Sequence, residues 1–162
     1  MVTALIADGA GRALAPNSPL DLVNAVRDPE IPVMTIGDLG IVRSVATEGA
    51  RIIVTITPTY SGCPAMDTIR SDIAATLAEH GFDSEIRTAY SPPWTTDMIS
   101  EAGRRLLLEI GIAPPGAARE ARCPRCRASH PTTVSEFGST ACKALMVCST
   151  CREPFDLFKE LK

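Results

Sequence analysis

Four cysteines in two matched pairs are the residues of this sequence best suited to chemistry. Cys123 and Cys126 form one C-x-x-C turn, and Cys148 and Cys151 form a second. Each turn directs two sulfurs toward one point, and two turns complete the tetrahedral thiolate shell of a structural zinc site. The 21 residues between the pairs leave room for a β-hairpin. We therefore predict a zinc-binding module; the alternative is two disulfides in a secreted module.

The choice between metal and disulfides depends on the cellular compartment. The first eight residues contain no basic side chain, and Asp8 interrupts their apolar run, so they do not resemble a signal peptide. No segment reaches the roughly 18 uninterrupted apolar residues of a membrane span. We expect a cytoplasmic protein, in which C-x-x-C pairs bind metal more often than they form disulfides.

Charge is unevenly distributed along the chain. Residues 1–116 carry 8 basic and 14 acidic side chains, whereas residues 117–162 carry 8 basic and 5 acidic ones. A basic zinc module suggests nucleic-acid binding. However, four thiolates around one Zn²⁺ add a charge of about −2, which brings this segment close to neutral. We expect neither a nucleic-acid nor a membrane partner.

The elements that position these residues follow from hydrophobic periodicity and turn signals. We predict an α+β fold: a small α-β-β-α-β-α domain with helices packed on a short mixed sheet, followed by a C-terminal four-cysteine zinc ribbon. The predicted elements are a helix over 20–26, strands over 41–46 and 51–57, a helix over 64–79 with Met66, Ile69, Ile73 and Leu77 as its apolar stripe, a strand over 85–90, and a helix over 96–109 with Met98, Ala102 and Leu106 inward.

Composition also predicts the domain boundaries. Residues 1–18 are mostly small, include Gly9, Gly11 and Pro16, and have little periodic apolar content, which indicates a flexible leader. The α+β domain is predicted over 19–112 and the zinc ribbon over 120–162. Between them, Pro114, Pro115 and Gly116 predict a linker over 113–119.

Loops of the first domain carry further candidate residues. Asp28 and Glu30 place two carboxylates around a rigid proline, and Cys63 lies just before a predicted helix, whose N-terminal dipole favours the thiolate. Each has a structural alternative: Asp28 as an Asx-type turn, and Cys63 as a small buried residue. A catalytic dyad of Cys63 with His80 is excluded, because the intervening helix separates them by about 24 Å. The glycines of 37–40 are interpreted as turn residues.

Two other candidate ligands lie in the C-terminal segment. His130 follows the first cysteine pair, and Cys142 has no C-x-x-C partner. Four matched thiolates already complete a tetrahedral shell. We place both residues outside it, and the role of Cys142 stays open.

These segments together resemble known families. Asp28-Pro29-Glu30, Asp38-Leu39-Gly40 and Ser61-Gly62-Cys63-Pro64 resemble the domain shared by iron–sulfur assembly accessory factors. The segments 60–66, 91–97 and 137–143, together with the ribbon, resemble the D subunits of the phenylacetyl-CoA epoxidase system. The resemblance runs from about residue 20 to residue 162.

The resemblance implies a non-catalytic accessory protein of a multicomponent di-iron monooxygenase that epoxidises phenylacetyl-CoA. Its implied role is to assist assembly or maintenance of an iron or iron–sulfur centre, with oxygenase or reductase components as partners and a homodimer as a further option. Structural zinc would occupy the ribbon. Cys63 would hold iron or a cluster transiently, supported by Asp28 and Glu30. The sequence agrees in having neither the E-x-x-H pairs of di-iron bundles nor a G-x-G-x-x-G motif.

Two other functions stay open at this point. The ribbon of an electron carrier would hold rubredoxin-like iron or a cluster, and a structural adaptor of the oxygenase complex would need no reactive Cys63. Iron–thiolate turns commonly have glycine after the second cysteine. Arg127 and Arg152 occupy those positions here, which favours zinc.

Overall fold

The chain folds into two compact units, Met1–Trp94 and Thr95–Lys162. The computed structural model describes residues 3–4, 18–116 and 120–160. Strands of the described residues form two four-stranded sheets. No helix in these ranges is long and apolar enough to cross a membrane.

The sheet of the first unit contains β1 (Thr3–Ala4), β2 (Val42–Glu48), β3 (Arg51–Ile56) and β4 (Asp83–Thr88), in that order. β2 and β3 form an antiparallel hairpin, whereas β3 and β4 run parallel. Parallel neighbours need a crossover connection, and helix α2 (Ala65–Glu79) supplies it. The predicted short mixed sheet is therefore confirmed.

Two helices cover this sheet. α1 (Pro19–Asn24) begins after Ser18, whose Oγ accepts a hydrogen bond from the Asp21 N–H. α2 buries Ile69, Ile73 and Leu77 as its periodicity predicts, whereas Met66, the fourth residue of the predicted stripe, is only half-buried. The helix packs against β4 and α1. It is followed by Gly81 with φ +80°, a conformation that glycine adopts without steric cost.

The segment before β2 is a closely packed turn. A Cβ on Gly37 would lie 2.8 Å from the Asn24 carbonyl oxygen, so only glycine fits against α1 here. Asp38 Oδ2 accepts a hydrogen bond of 2.9 Å from Thr35 Oγ1. The buried Trp94 indole donates to the Leu39 carbonyl at 2.8 Å. The predicted turn role of the glycines agrees with this packing.

The elements of the second unit are α3 (Glu101–Glu109), β5 (Ile112–Gly116), β6 (Thr132–Ser135), β7 (Lys143–Val147) and β8 (Pro154–Lys159). Its strands form a sheet in the order β5-β8-β7-β6. The pairs are antiparallel except for β5 with β8, which run parallel. Cys123 and Cys148 are buried in its apolar core.

The last helix of the first predicted domain differs from expectation. Thr96–Met98 form a separate 3₁₀ turn, and α3 begins only after Ser100, whose Oγ accepts from the Gly103 N–H at 2.9 Å. Gly103 and Leu107 are therefore the buried positions, and the predicted inward face of Ala102 and Leu106 is wrong.

The predicted boundary over 113–119 also differs from the structure. Residues 113–116 belong to strand β5, which pairs with β8, and α3 packs against β5 within the second unit. Proline is tolerated on an edge strand because its missing N–H removes no ladder bond there. Residues 117–119 lie outside the described residues. The predicted leader does too, except for Thr3–Ala4 in β1 and the α1 cap Ser18.

Candidate functional site

The structure brings the four predicted ligand cysteines of the ribbon together. The Sγ atoms of Cys123 and Cys151 are 3.7 Å apart, and those of Cys126 and Cys148 are 3.5 Å apart. All four sulfurs lie within 4.8 Å of one another. A tetrahedral shell with metal–sulfur bonds of about 2.3 Å has sulfur–sulfur edges of about 3.8 Å. The cluster therefore fits one metal ion, and within residues 18–116 and 120–160 it is the only such group.

Both cysteine pairs are held by the same local turn. The N–H of Arg127 donates to the Cys123 carbonyl at 2.8 Å, and the N–H of Arg152 donates to the Cys148 carbonyl at 3.0 Å. Both arginines have positive φ, +62° and +63°. These are the positions at which iron–thiolate turns commonly have glycine. The chain reaches the left-handed conformation without it.

Backbone N–H groups also approach the sulfurs of the second pair. The Cys151 N–H lies 3.4 Å from Cys148 Sγ. Hydrogen bonds from the Cys151 and Thr150 backbones lower the pKa of Cys148 to about 6. The absence of glycine therefore does not prevent N–H···S hydrogen bonds. Arginine at positions 127 and 152 thus no longer favours zinc over iron on steric grounds.

The crowding of the sulfurs favours a cation at the centre of the cluster. A backbone hydrogen bond from Glu153 lowers the pKa of Cys151, but desolvation and the neighbouring sulfurs outweigh it and raise that pKa to about 12. One thiol of the cluster thus ionises readily, while the last one resists ionisation. A divalent cation at the centre removes this conflict, because metal binding requires deprotonated thiolates and stabilises them.

The other two candidate ligands of the C-terminal segment lie outside this cluster. Cys142 is buried, with its Sγ 3.1 Å from Thr140 Oγ1. His130 is exposed, and its carbonyl accepts a hydrogen bond from Ser149 Oγ at 3.1 Å. Neither belongs to the metal-competent group.

The first unit brings Cys63 into electrostatic contact with both predicted carboxylates. Glu30 and Asp28 each raise the pKa of the Cys63 thiol, Glu30 more strongly. Asp28 is buried, and its Oδ1 accepts hydrogen bonds from the N–H groups of Glu30 at 2.9 Å and Ile31 at 2.7 Å. The Asx-type turn that the sequence left open is therefore present. Within the described residues, Cys63, Asp28 and Glu30 do not form a metal-competent group like that of the ribbon.

The sequence predicted the wrong electrostatic preference for Cys63. Burial is the largest influence and raises the pKa of this thiol above its ordinary value. Hydrogen bonds from the Ala65 backbone and the Thr59 side chain act in the opposite direction but do not prevail. Desolvation and neighbouring carboxylates disfavour the thiolate more than the start of α2 favours it.

Two threonines of this region were missed by the sequence analysis. Thr59 hydrogen-bonds with the Cys63 thiol. Thr57 is buried at the end of β3, and its Oγ1 has no hydrogen-bond partner in the described part of the chain. A usable signal was their position between a strand and a helix, where α/β sheets place their binding loops.

Replacement of Cys126 by serine is expected to abolish metal binding by the ribbon and to unfold it. A structural four-thiolate metal contributes on the order of 10 kcal/mol of apparent binding energy, which a core of this size cannot replace. Metal per chain and thermal unfolding measure the effect. Cys142→Ser is the matched control and should keep its metal. Stoichiometric metal in Cys126→Ser would show that the ligand set is different.

The reactivity of Cys63 should reveal its carboxylate neighbours. We expect its alkylation rate to rise with pH around a midpoint above about 8.5, the free-cysteine value. Because a nearby negative charge raises a thiol pKa, Glu30→Gln should lower this midpoint, whereas Glu79→Gln at the far end of α2 should not. The rates are measured on metal-loaded protein. A midpoint below 8.5, or one insensitive to Glu30, would contradict this arrangement.

Comparisons with known proteins cover both units. The family profile of the PaaD zinc beta ribbon domain matches residues 111–159, and that of the iron-sulfur cluster assembly protein matches residues 20–86. The "Fe-S protein maturation auxiliary factor SufT" of Staphylococcus aureus (strain USA300) is 37% identical over 91 residues, 54% of this chain and 99% of the relative. A crystal structure of a Domain of Unknown Function DUF59 from Bacillus anthracis has a TM-score of 0.51 at 28% identity, covering 55% of this chain and 87% of that one.

One relative matches the chain through both of its units. The D subunit of the "Putative 1,2-phenylacetyl-CoA epoxidase" of Escherichia coli (strain K12) is 47% identical over 146 residues, which cover 85% of this chain and 88% of the relative. The four-cysteine cluster lies in the segment matched by the zinc ribbon profile, and Cys63, Asp28 and Glu30 lie in the segment matched by the assembly-protein profile. The chain therefore belongs to the family of phenylacetyl-CoA epoxidase D subunits, with an iron–sulfur cluster assembly domain followed by a zinc ribbon domain.

Proposed function

We propose that the protein is a non-catalytic accessory component of a phenylacetyl-CoA epoxidase and assists assembly or maintenance of an iron or iron–sulfur centre. The names of the relatives support this role. One relative is named as an epoxidase subunit, and two others are named as auxiliary factors of Fe-S protein maturation. Its partners are the oxygenase or reductase components of that system. A cytoplasmic location fits six cysteines that are all free thiols.

The observation that carries this proposal is that Asp28 and Glu30 are close enough to Cys63 to influence its thiol electrostatically. A thiolate with one or two of these carboxylates would make an incomplete shell, which holds iron weakly enough to pass it on. The two carboxylates discourage a free thiolate at Cys63, but they attract a cation. The site is thus better suited to a metal cargo than to a cysteine nucleophile.

The ribbon metal is Zn²⁺ in this proposal, and its role is structural. The zinc ribbon profile supports this assignment. An iron-loaded ribbon would instead favour the alternative function of a rubredoxin-like electron carrier. Metal analysis and visible absorption of protein purified without oxygen distinguish them. We expect one zinc per chain and a colourless protein; a red or brown protein with stoichiometric iron would contradict the zinc assignment.

The assembly role predicts incomplete metal centres in cells that lack the protein. Iron per oxygenase and per reductase should fall when the gene is deleted, and Cys63→Ser should reproduce that loss. Asp28→Asn should also lower the iron content. This change removes the negative charge but keeps an oxygen that can accept the hydrogen bonds from the Glu30 and Ile31 N–H groups. When it replaces the deleted gene, the Cys142→Ser variant should restore the iron content. Cys142 belongs neither to the four-cysteine cluster nor to the set of Cys63, Asp28 and Glu30.

Two outcomes would contradict the assembly role. If both partners are fully metallated and active without the protein, it does not assist a metal centre. If the deletion lowers the iron content of the components but the Cys63→Ser variant restores it, Cys63 is not an iron ligand. A structural adaptor of the oxygenase complex then becomes the better explanation. Metal content and unfolding of each variant show whether the protein itself remains intact.

A further inference from the structure

Strand β4 forms one edge of the sheet in the first unit, and within the described residues no strand pairs with its outer side. In a parallel ladder, every second residue directs both of its backbone groups toward the same neighbour. The Ala89 N–H donates to the Ile56 carbonyl at the end of β3 at 2.8 Å, so the backbone groups of residues 85 and 87 also face β3. The outward-facing backbone groups, which can pair with another strand, belong to Ser84, Ile86 and Thr88.

The two faces of β4 differ in character. Side chains alternate between the faces of a strand, and register partners share a face. Ile86 therefore lies beside its register partner Val54, which is fully buried, on the apolar face. On the opposite face, Arg87 Nε lies 2.8 Å from Glu85 Oε1, and these side chains keep 47% and 44% of their surface exposed. Both charges can thus still reach a second partner.

This order of residues is complementary to itself in an antiparallel pair. When Ile86 faces the Ile86 of a second copy, Glu85 lies directly opposite the second copy's Arg87, and Arg87 lies opposite its Glu85. Moving the centre of the pairing by one residue would place Glu85 opposite Glu85, or Arg87 opposite Arg87. Like charges directly opposite one another destabilise a sheet, so charge selects the register centred on Ile86.

The backbone of β4 is compatible with this register. The outward-facing groups of Ile86 meet those of its counterpart, and the groups of Ser84 meet those of the second copy's Thr88. Residues 85 and 87 then form the non-hydrogen-bonded pairs, in which opposing Cα atoms are only about 4.5 Å apart and side chains come closest. The two ion pairs between the copies therefore form where the strands bring side chains nearest to one another.

We propose that the protein forms a two-fold symmetric dimer through antiparallel pairing of β4 with the β4 of a second copy. Glu85 and Arg87 of each copy pair with Arg87 and Glu85 of the other. Such an interface is isologous, because the same residues of both copies form it. It joins two sheets into one continuous sheet and covers an edge of each. This inference does not rest on the proposed function.

Sedimentation of the full-length, metal-loaded chain over a range of concentrations tests this dimer. Arg87→Glu turns both attractive pairs into repulsive ones, so the dissociation constant of the dimer should rise by about tenfold or more. Glu85→Arg should have the same effect. The matched control is Arg105→Glu, which reverses the charge of another exposed, ion-paired arginine, on α3, and should leave the dissociation constant unchanged.

An equimolar mixture of the Arg87→Glu and Glu85→Arg chains provides the sharper test. In the mixture, two positive side chains of one β4 face two negative side chains of the other. The mixture should therefore form a dimer at concentrations at which each variant alone is monomeric. Ser84→Pro should also weaken the dimer of the otherwise unsubstituted chain, because it removes an outward-facing N–H and no hydrogen bond to β3.

Three results would overturn this inference. They are an unsubstituted chain that stays monomeric at millimolar concentration, an Arg87→Glu chain that dimerises as strongly as the unsubstituted one, and a mixture of the two variants that stays monomeric. Circular dichroism and thermal unfolding show whether each variant keeps its fold. If a charge variant does not fold, the comparison of Ser84→Pro with the unsubstituted chain decides the question, and equal dissociation constants would contradict the dimer.

Discussion

The convergence of four sulfurs in one small volume is the constraint on which the second unit depends. Sulfurs within 4.8 Å of one another cannot all be thiolates unless a cation lies between them. Two of these cysteines, Cys123 and Cys148, are also part of the hydrophobic core beneath the sheet. A metal held by these sulfurs would therefore also fix two residues of the core in place.

The environment of Cys63 in the first unit differs from that of the ribbon cysteines. Cys63 has one sulfur, two nearby carboxylates and a partly buried setting that raises its pKa. A complete sulfur shell suits permanent retention of a metal, and an incomplete mixed shell suits exchange. The proposed function assigns the first role to the four-cysteine cluster and the second to Cys63 with its neighbouring carboxylates.

Local patterns were predicted correctly where neighbouring residues determine the outcome. The α2 stripe, the β2–β3 hairpin and the cysteine pairs all depend on contacts within a few positions of one another. Predictions failed where a distant partner intervened. Pro114, Pro115 and Gly116 have the composition of a linker, but they form an edge strand because β8, some 40 residues later, provides the pairing. Likewise, the start of α3 follows the Ser100 cap rather than the apolar spacing.

The sequence by itself determined the candidate ligands and the order of α1, β2, β3, α2 and β4, because side-chain type and spacing act through local geometry. The tertiary structure decided the pairing of β5 with β8 and the raised pKa of Cys63. Each of these depends on burial, or on pairing between residues far apart in sequence, and neither is encoded by local spacing.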